Sequence, residues 1–444
     1  MPDLSREREA LAVDIIKILR DRNHQAFLVG GCVRDRLWGI ASKDFDVSTD
    51  ARPEQIEAIF PGAQLVGAKF GVVLVKRSNE ICVEVATFRS EGNYSDGRHP
   101  EEVRFETDPA RDAQRRDFTI NGLFEDPVSH RIYDFVDGER DIQARVLRTI
   151  GVPDRRFEED QLRLLRGIRF AARFGLPIED KTMAAMQRFA PRIQNISAER
   201  IREELARILT EGGARYGFEL LDRSGLLEQV LPEVDACKGV QQPPEFHPEG
   251  DVWAHVLLML DSMKDPSRTL AWGVLLHDVG KPPTFRVAER IRFDGHAEVG
   301  TEMARIRLTE LKASNEDIER VCSLVANHMR FKDVPNMRVS TLKRFLRTPH
   351  FEEHLELHRL DCLASNGRTD VYEFVRSKLA EFKLQQLRPP RLLTGDDLIK
   401  EGYPPGPAFK KVMELTETAQ LEGEIATHEQ ALAMARELLS GSSS

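Results

Sequence analysis

The sequence predicts an α+β head followed by an all-α remainder, and three observations carry that reading. Short Val- and Ile-rich runs alternate with helical periods as far as about residue 150. From Asp154 onward strand signals nearly vanish and amphipathic helical periods follow one another. Between Lys238 and Pro248, paired glutamines and three prolines break the helical run and mark a linker to a further helical unit.

Taken in order, Leu11, Ile15, Ile18 and Leu19 recur at helical spacing within residues 5 to 22 and give an amphipathic scaffold helix. Phe27 to Val29 reads as a short strand, Gly30 and Gly31 break it, and Cys32 to Leu37 begins a helix whose free N–H groups suit a phosphate. In Asp44-Phe45-Asp46-Val47-Ser48, period-2 alternation puts both carboxylates on one face and the apolar pair on the other. Two such carboxylates repel, so they are best tolerated around a divalent cation, which favours Mg2+. Gly71 to Lys76 and Ile81 to Phe88 read as further strands, and Glu84, set among apolar residues, is the candidate third carboxylate. Three oxygen ligands around two metal ions would activate a ribose 3'-hydroxyl and stabilise departing pyrophosphate in an in-line displacement on a nucleoside triphosphate. Residues 89 to 114 are polar, rich in turn signals and too long for an idle connection, which predicts a functional, mobile loop.

Helices are predicted over Glu158 to Phe174, Asp180 to Ala190, Ala198 to Leu209, Arg215 to Arg223, Val252 to Met263 and Arg268 to Asp278. Ser197 serves as a cap, while Gly175, Gly225, Pro177 and Pro232 serve as stops. Domains are expected at 1–150 (head), 151–240 (helical neck and body), 241–385 (second helical unit) and 386–444 (helical tail).

With 444 residues, 41% hydrophobic and 31% charged, the chain has material for two or more globular cores. A net charge of -9 and a pI near 5.8 argue against indiscriminate nucleic-acid binding. Charge is uneven, however: Arg155 to Arg207 holds twelve Lys or Arg against eight Asp or Glu. Such an excess suits an RNA backbone, and equally a solvated helix face. Cys32, Cys82, Cys237, Cys322 and Cys362 are odd in number and set in apolar contexts, as reduced cytosolic thiols are. The charged N-terminus MPDLSREREA and the absence of any eighteen-residue apolar run predict a cytoplasmic protein with no membrane partner.

Two further constellations lie in the first half. In Gln114 to Gly122, Arg116 can pair with phosphate oxygens while Asp117 and Asn121 can hydrogen-bond ribose hydroxyls; the stretch reads equally as a helix cap with surface charges. Asp160 and Arg163 stand at i and i+3 of one helical period. A fixed acceptor beside a fixed donor matches the edge that cytosine and adenine share, although such a pair is also an ordinary salt bridge. In the second half, His255, the adjacent His277-Asp278, His296, His328 and Asp361 lie in apolar contexts where unpaired polar groups are costly. A shared metal ion, or two, explains them and points to hydrolytic phosphoester chemistry.

Residues 27 to about 225 resemble the bacterial tRNA nucleotidyltransferase and poly(A) polymerase family, specifically its CCA-adding members. The likeness rests on ordered motifs: LVGGCVRD followed by DFD, RRDFTING, the Asp137 to Gly151 segment, EEDQLR, and SAERIREEL from Ser197 to Leu205. It implies a DNA polymerase β-like head, then a helical neck, body and tail, with Asp44 and Asp46 binding Mg2+. It also implies CTP and ATP as substrates selected by Asp160 and Arg163, a tRNA acceptor end as partner, and a hinge at 137 to 151. The nucleotide-binding set is Gly30, Gly31, Arg34, Arg116, Asp117, Asn121, Asp160, Arg163, Arg166 and Arg169.

Residues 247 to about 365 resemble an HD-type phosphohydrolase domain through HPEGDVWAH, His277-Asp278 and GHAEVG. That likeness implies a divalent transition metal held by His255, His277, Asp278, His296, His328 and Asp361, and action on 2',3'-cyclic phosphates or related monoesters in tRNA end repair. Asp96 to Pro100 resembles a flexible loop that CC-only members lack, with His99 where family loops often carry arginine. Full CCA addition and A-only addition or poly(A) synthesis remain open. So does an HD phosphohydrolase whose head only binds RNA.

Overall fold

The computed structural model describes residues 4–67, 71–91, 103–382 and 387–440. By internal contacts the chain divides into two compact units, Met1–Asp235 with Thr309–Ala313, and Ala236–Leu308 with Ser314–Ser444. The fold class is α+β. Among the described residues no helix is long and apolar enough to cross a membrane.

The first unit opens with α1 (Leu4–Asp21), whose Leu11, Ile15, Ile16 and Leu19 are buried. It continues through β1 (Ala26–Val29), α2 (Gly31–Leu37), β2 (Asp46–Thr49), α3 (Pro53–Ile59), β3 (Gln64–Gly67), β4 (Val72–Lys76) and β5 (Cys82–Thr87). Next come β6 (Arg89–Glu91), β7 (Val103–Phe105), α4 (Pro109–Gln114), β8 (Phe124–Asp126) and β9 (Arg131–Tyr133). Seven of these strands form one sheet in the order β3-β4-β5-β2-β1-β8-β9. Most neighbours are antiparallel, but β2 and β5 run parallel in the centre. Apolar side chains from β1 and β8 bury with Phe88: Phe27, Val29, Phe88, Ala113 and Phe124 form one cluster.

The segment expected as one long mobile loop is corrected at both ends. β6 and β7 pair antiparallel as a separate two-stranded sheet, and α4 begins at a proline behind Asp108, whose side chain accepts from the Ala110 amide. Asp96 to Pro100 lies outside the described residues.

The helical part follows as α5 (Gly138–Ala144), α6 (Pro153–Glu159), α7 (Leu162–Phe174), α8 (Asp180–Phe189), α9 (Ala198–Thr210), α10 (Ala214–Arg223), α11 (Leu226–Val230) and α12 (Pro232–Asp235). The hinge expected at 137 to 151 contains α5, bounded by Asp137 and Arg145, both left-handed at φ 61° and 52°. α7 is buried along most of its length, from Leu162 and Leu164 to Phe170 and Phe174.

The second unit holds α13 (Val252–Ser262), α14 (Arg268–Leu276), α15 (Lys281–Thr284), α16 (His296–Glu310) as far as Leu308, α17 (Asn315–Asn327), α18 (Val339–Leu346), α19 (Phe351–Ala364) and α20 (Asp370–Glu381). Further helices follow at Gly395–Lys400, Pro407–Glu422 and His428–Ser440. The all-α expectation for the remainder needs one small correction, a two-residue ladder between Arg286–Val287 and Ile291–Arg292.

Candidate functional site

The glycine turn is built on strain that only glycine tolerates. Gly30 sits at φ 74°, its N–H bonds the Leu123 carbonyl at 3.2 Å, and a Cβ there would meet Arg116 Nη1 at 3.4 Å. Beyond it, Phe45 and Val47 are buried while Asp44 and Asp46 are exposed, the alternation the sequence predicts. Asp46 is the register partner of Glu84 across the parallel β2–β5 pair, and Val83 and Val85 flank Glu84 in the core. Asp44 accepts from Arg8 Nη1 at 3.1 Å. Asp46 is open by surface area yet densely surrounded: desolvation first, then the charges of Glu84 and Asp44, lift its carboxyl to about 6 against the pull of Arg116. Crowded like charges of this kind are what a divalent cation relieves, so the donor set fits one.

Behind this face runs a connected chain of side chains. Arg34 Nη1 donates to Asn121 Oδ1 at 2.5 Å, Asn121 Nδ2 donates to Asp117 Oδ1 at 3.2 Å, and Arg166 grips Asp117 Oδ2 at 2.6 and 2.9 Å. Burial works against the Asp117 charge, but Arg166 and the hydrogen bonds from Asn121 and the Phe118 amide outweigh it and hold the carboxyl at about 2. Asp117 and Asn121 are thus buried and engage each other, Arg34 and Arg166. Arg116 is tied to buried Asp112 at 2.9 Å and reaches Ser48 Oγ at 3.3 Å. Arg169 is buried and pairs with Glu204 at 2.8 Å, with its guanidinium over the Phe170 ring.

The expected Asp160–Arg163 pair on one helix face is corrected. Asp160 is extended (φ -146°, ψ 106°) and terminates α6, so the two residues do not share a helix. The break is stabilised locally, because Asp160 Oδ1 accepts from the Leu162 amide at 3.0 Å and opens α7. Asp160 Oδ2 accepts from Arg200 Nη2 at 3.2 Å. Arg163 turns instead to Glu159 and donates to the carbonyls of Arg156 and Arg115, each at 3.0 Å.

In the second unit the predicted ligands converge. His255 on α13, His277 at the end of α14, and Asp361 on α19 place three ligand atoms within 4.8 Å of one another, and Asp278, His296 and His328 do the same. His296 can approach because Gly280 has no side chain: a Cβ there would stand 2.0 Å from the His296 carbonyl oxygen and 2.6 Å from the Gly300 amide nitrogen. His277, His296 and His328 each hydrogen-bond through Nδ1 to the carbonyl three residues earlier, Val274, Phe293 and Val325. A carbonyl only accepts, so Nδ1 carries the proton and Nε2 keeps its lone pair for a ligand.

Both Asp278 oxygens and His255 Nε2 are buried without a well-formed hydrogen bond, although Lys281 Nζ stands 2.6 Å from one Asp278 oxygen and Asp361 stands 3.2 Å from His255 Nε2. Buried donors left in this state fit a divalent metal ion. Burial opposes charge on His255, but the carboxylates of Asp361 and Glu249 outweigh it and lift the ring to about 9, so a metal ion at Nε2 would displace the proton there and leave the one on Nδ1; burial and the neighbouring His277 push His328 down to about 4. A cavity of about 820 Å³ opens on the cluster, lined among others by His247, Lys281, Arg292, Phe293 and Asp361.

The sequence reading missed four residues engaged here: Arg200, His247, Glu249 and Lys281. Arg200, His247 and Glu249 lay inside quoted motifs and Lys281 three residues past the HD pair, but which group each bonds depends on the fold.

Comparison with known proteins follows the same division. Residues 26–148 match the Poly A polymerase head domain, 175–238 the probable RNA and SrmB-binding site of polymerase A, and 251–364 the HD domain. The chain is 39% identical over 362 residues to the multifunctional CCA protein of Halorhodospira halophila, covering 78% of this chain and 85% of that one. The chain belongs to the tRNA nucleotidyltransferase and poly(A) polymerase family.

Within that family, it is 39% identical over 218 residues to the CCA-adding enzyme of Staphylococcus epidermidis, covering 49% of this chain and about half, 54%, of that relative. The crystal structure of the Bacillus stearothermophilus CCA-adding enzyme in complex with CTP matches with a TM-score of 0.74 at 25% identity, covering 100% of both chains.

Proposed function

We propose that this protein adds the 3'-terminal C, C and A to tRNA from CTP and ATP without a nucleic-acid template. The observation that carries the reading is the register pairing of Asp46 with Glu84, two exposed carboxylates on adjacent central strands beside Asp44. A divalent cation held by Asp44, Asp46 and Glu84, Mg2+ by its preference for oxygen, supplies the charge that activates a 3'-hydroxyl and steadies leaving pyrophosphate. The chain's own groups do the rest. Gly30, Gly31, Arg34 and Arg116 bind the triphosphate end, and Asp117 and Asn121 orient the ribose. Asp160 and Arg163, on either side of a helix break, offer an acceptor and a donor to the base, backed by Arg166 and Arg169. The domain limits 1–150, 151–240, 241–385 and 386–444 are part of this reading.

The deciding experiment presents tRNAs ending before the first C, after CC, and after CCA, with CTP or ATP, and reads product lengths. Growth by C, C and A on the shortest tRNA is expected. Growth by A alone on the CC-ending tRNA reassigns the protein to A addition, and long A tracts reassign it to poly(A) synthesis.

A second reading runs alongside, favoured by the orphaned oxygens of Asp278: the HD domain is a metal-dependent phosphohydrolase acting on 2',3'-cyclic phosphates or related monoesters. There His255, His277, Asp278, His296, His328 and Asp361 would hold a divalent transition metal, which would supply the Lewis-acid charge for phosphoester hydrolysis. Buried Lys281, its Nζ beside Asp278, lines the cavity wall where a phosphate would sit.

A further inference from the structure

The HD histidines acquire their orientation in two different ways. His277, His296 and His328 are aimed by backbone carbonyls three residues earlier, which no substitution removes. His255 is aimed by a side chain: its Nδ1 donates to Glu249 Oε1 at 2.7 Å. Glu249 lies before α13, its side chain is only 5% exposed, and the same oxygen accepts from His247 Nδ1 at 2.8 Å. A carboxylate here only accepts, so His255 keeps its proton on Nδ1, and Nε2 is the nitrogen that faces Asp361, 3.2 Å away. The His255 ring lies 5.5 Å from that of His277 and 5.1 Å from that of His247, so a rotated imidazole would leave the cluster short of one donor.

We propose that Glu249 is the positioning residue of the HD centre: by fixing the tautomer and ring plane of His255 it sets the centre's affinity for a divalent metal, while it holds His247 on the wall of the same cavity. This rests on the reading of the HD cluster as a metal site. Carboxylates that orient a metal-binding histidine typically contribute about 10- to 100-fold in metal affinity.

The test is a Co2+ titration of the full-length chain followed by visible absorption, which reports nitrogen ligation, with Asp46→Ala present throughout so that the head does not compete. Glu249→Ala is expected to weaken Co2+ binding about 10- to 100-fold and to change the absorption band. Glu249→Gln, whose amide oxygen still accepts from Nδ1, is expected to recover most of that affinity, and it decides the matter where the alanine variant does not fold. His247→Ala is expected to bind within about threefold of the parent, since it removes only the other claimant on the carboxylate. Equal affinity in Glu249→Ala and the parent overturns the proposal. So does joint loss in Glu249→Gln and His247→Ala, which would make Glu249 and His247 direct ligands. A parent that takes up no Co2+ at all defeats the metal reading itself, an outcome distinct from either.

Discussion

Asp46 and Glu84 stand as register partners on two parallel strands, and the Glu84 carboxylate raises the cost of ionising Asp46. With the Asp46 carboxyl at about 6, nucleotide incorporation is expected to fall as pH drops through that value, because the protonated acid is a poor ligand. Asp46→Asn is expected to reduce incorporation on the order of 10³-fold while the thermal midpoint stays close to that of the parent, since the side chain is exposed. A pH–rate profile and a melting curve check both; incorporation above a trace in Asp46→Asn would remove Asp46 from the metal site.

The Asp117–Arg166 pair makes a prediction about stability. Its folded carboxyl lies near 2, below the ordinary unfolded value of about 3.9. The contribution is therefore fully present above pH 4 or so and is lost as pH falls towards 2, amounting to something on the order of 2 kcal/mol. Asp117→Asn should flatten the acid limb of stability between those limits, measured by urea unfolding at stepped pH. An unchanged slope would mean that the pair does not hold the charge.

Asp160 is held by Arg200 rather than by Arg163, and under the proposed reading base selection rests on that contact. Asp160→Ala and Arg163→Ala are expected to admit UTP or GTP at the expense of CTP and ATP. Arg200→Ala should do so more mildly, by roughly tenfold in relative kcat/KM, with Arg200→Lys partly restoring discrimination. Competition among the four nucleotides reads this directly, and unchanged preference in all three alanine variants would end the idea that these groups select the base.

The head carboxylates and the HD ligands belong to different compact units, so the two sites should fail separately. His277→Ala or Asp278→Ala is expected to abolish bound transition metal and hydrolysis of a 2',3'-cyclic phosphate while leaving CCA addition within about twofold of the parent. Elemental analysis and both activities on one preparation supply the answer. Proportional loss of nucleotide addition in a folded variant would join the two sites.

Much of this was legible in the residues because it follows local rules. Alternation along Asp44 to Val47 marked which side chains face outward, Gly30 marked the turn, and the HD pair ahead of Gly280 announced a buried polar cluster. The strands of three residues, β8 and β9, were too short to show a period, and residues 103 to 105 hid inside a polar stretch. The Asp160 break was invisible for a physical reason. Asp-Gln continues the helical period without a Gly or Pro, and the extended Asp160 exists because it gains the Leu162 amide on one side and Arg200, forty residues away, on the other. Likewise Glu249 reads as a surface residue before a helix until His247 and His255 are seen to share its oxygen.

The strand order of the head also governs when its chemistry can come into being during synthesis. β1 and β2 are neighbours in the chain and can pair early, but Asp46 stays on an uncovered strand edge until β5, nearly forty residues later, docks alongside in parallel. The other flank of β1 waits still longer, for β8 at Phe124–Asp126. Such non-local pairings are slow to form and leave strand edges exposed meanwhile. A ribosome-bound fragment ending between β2 and β5 would thus carry DFD without a site, and would be a sticky, inert intermediate rather than a small enzyme.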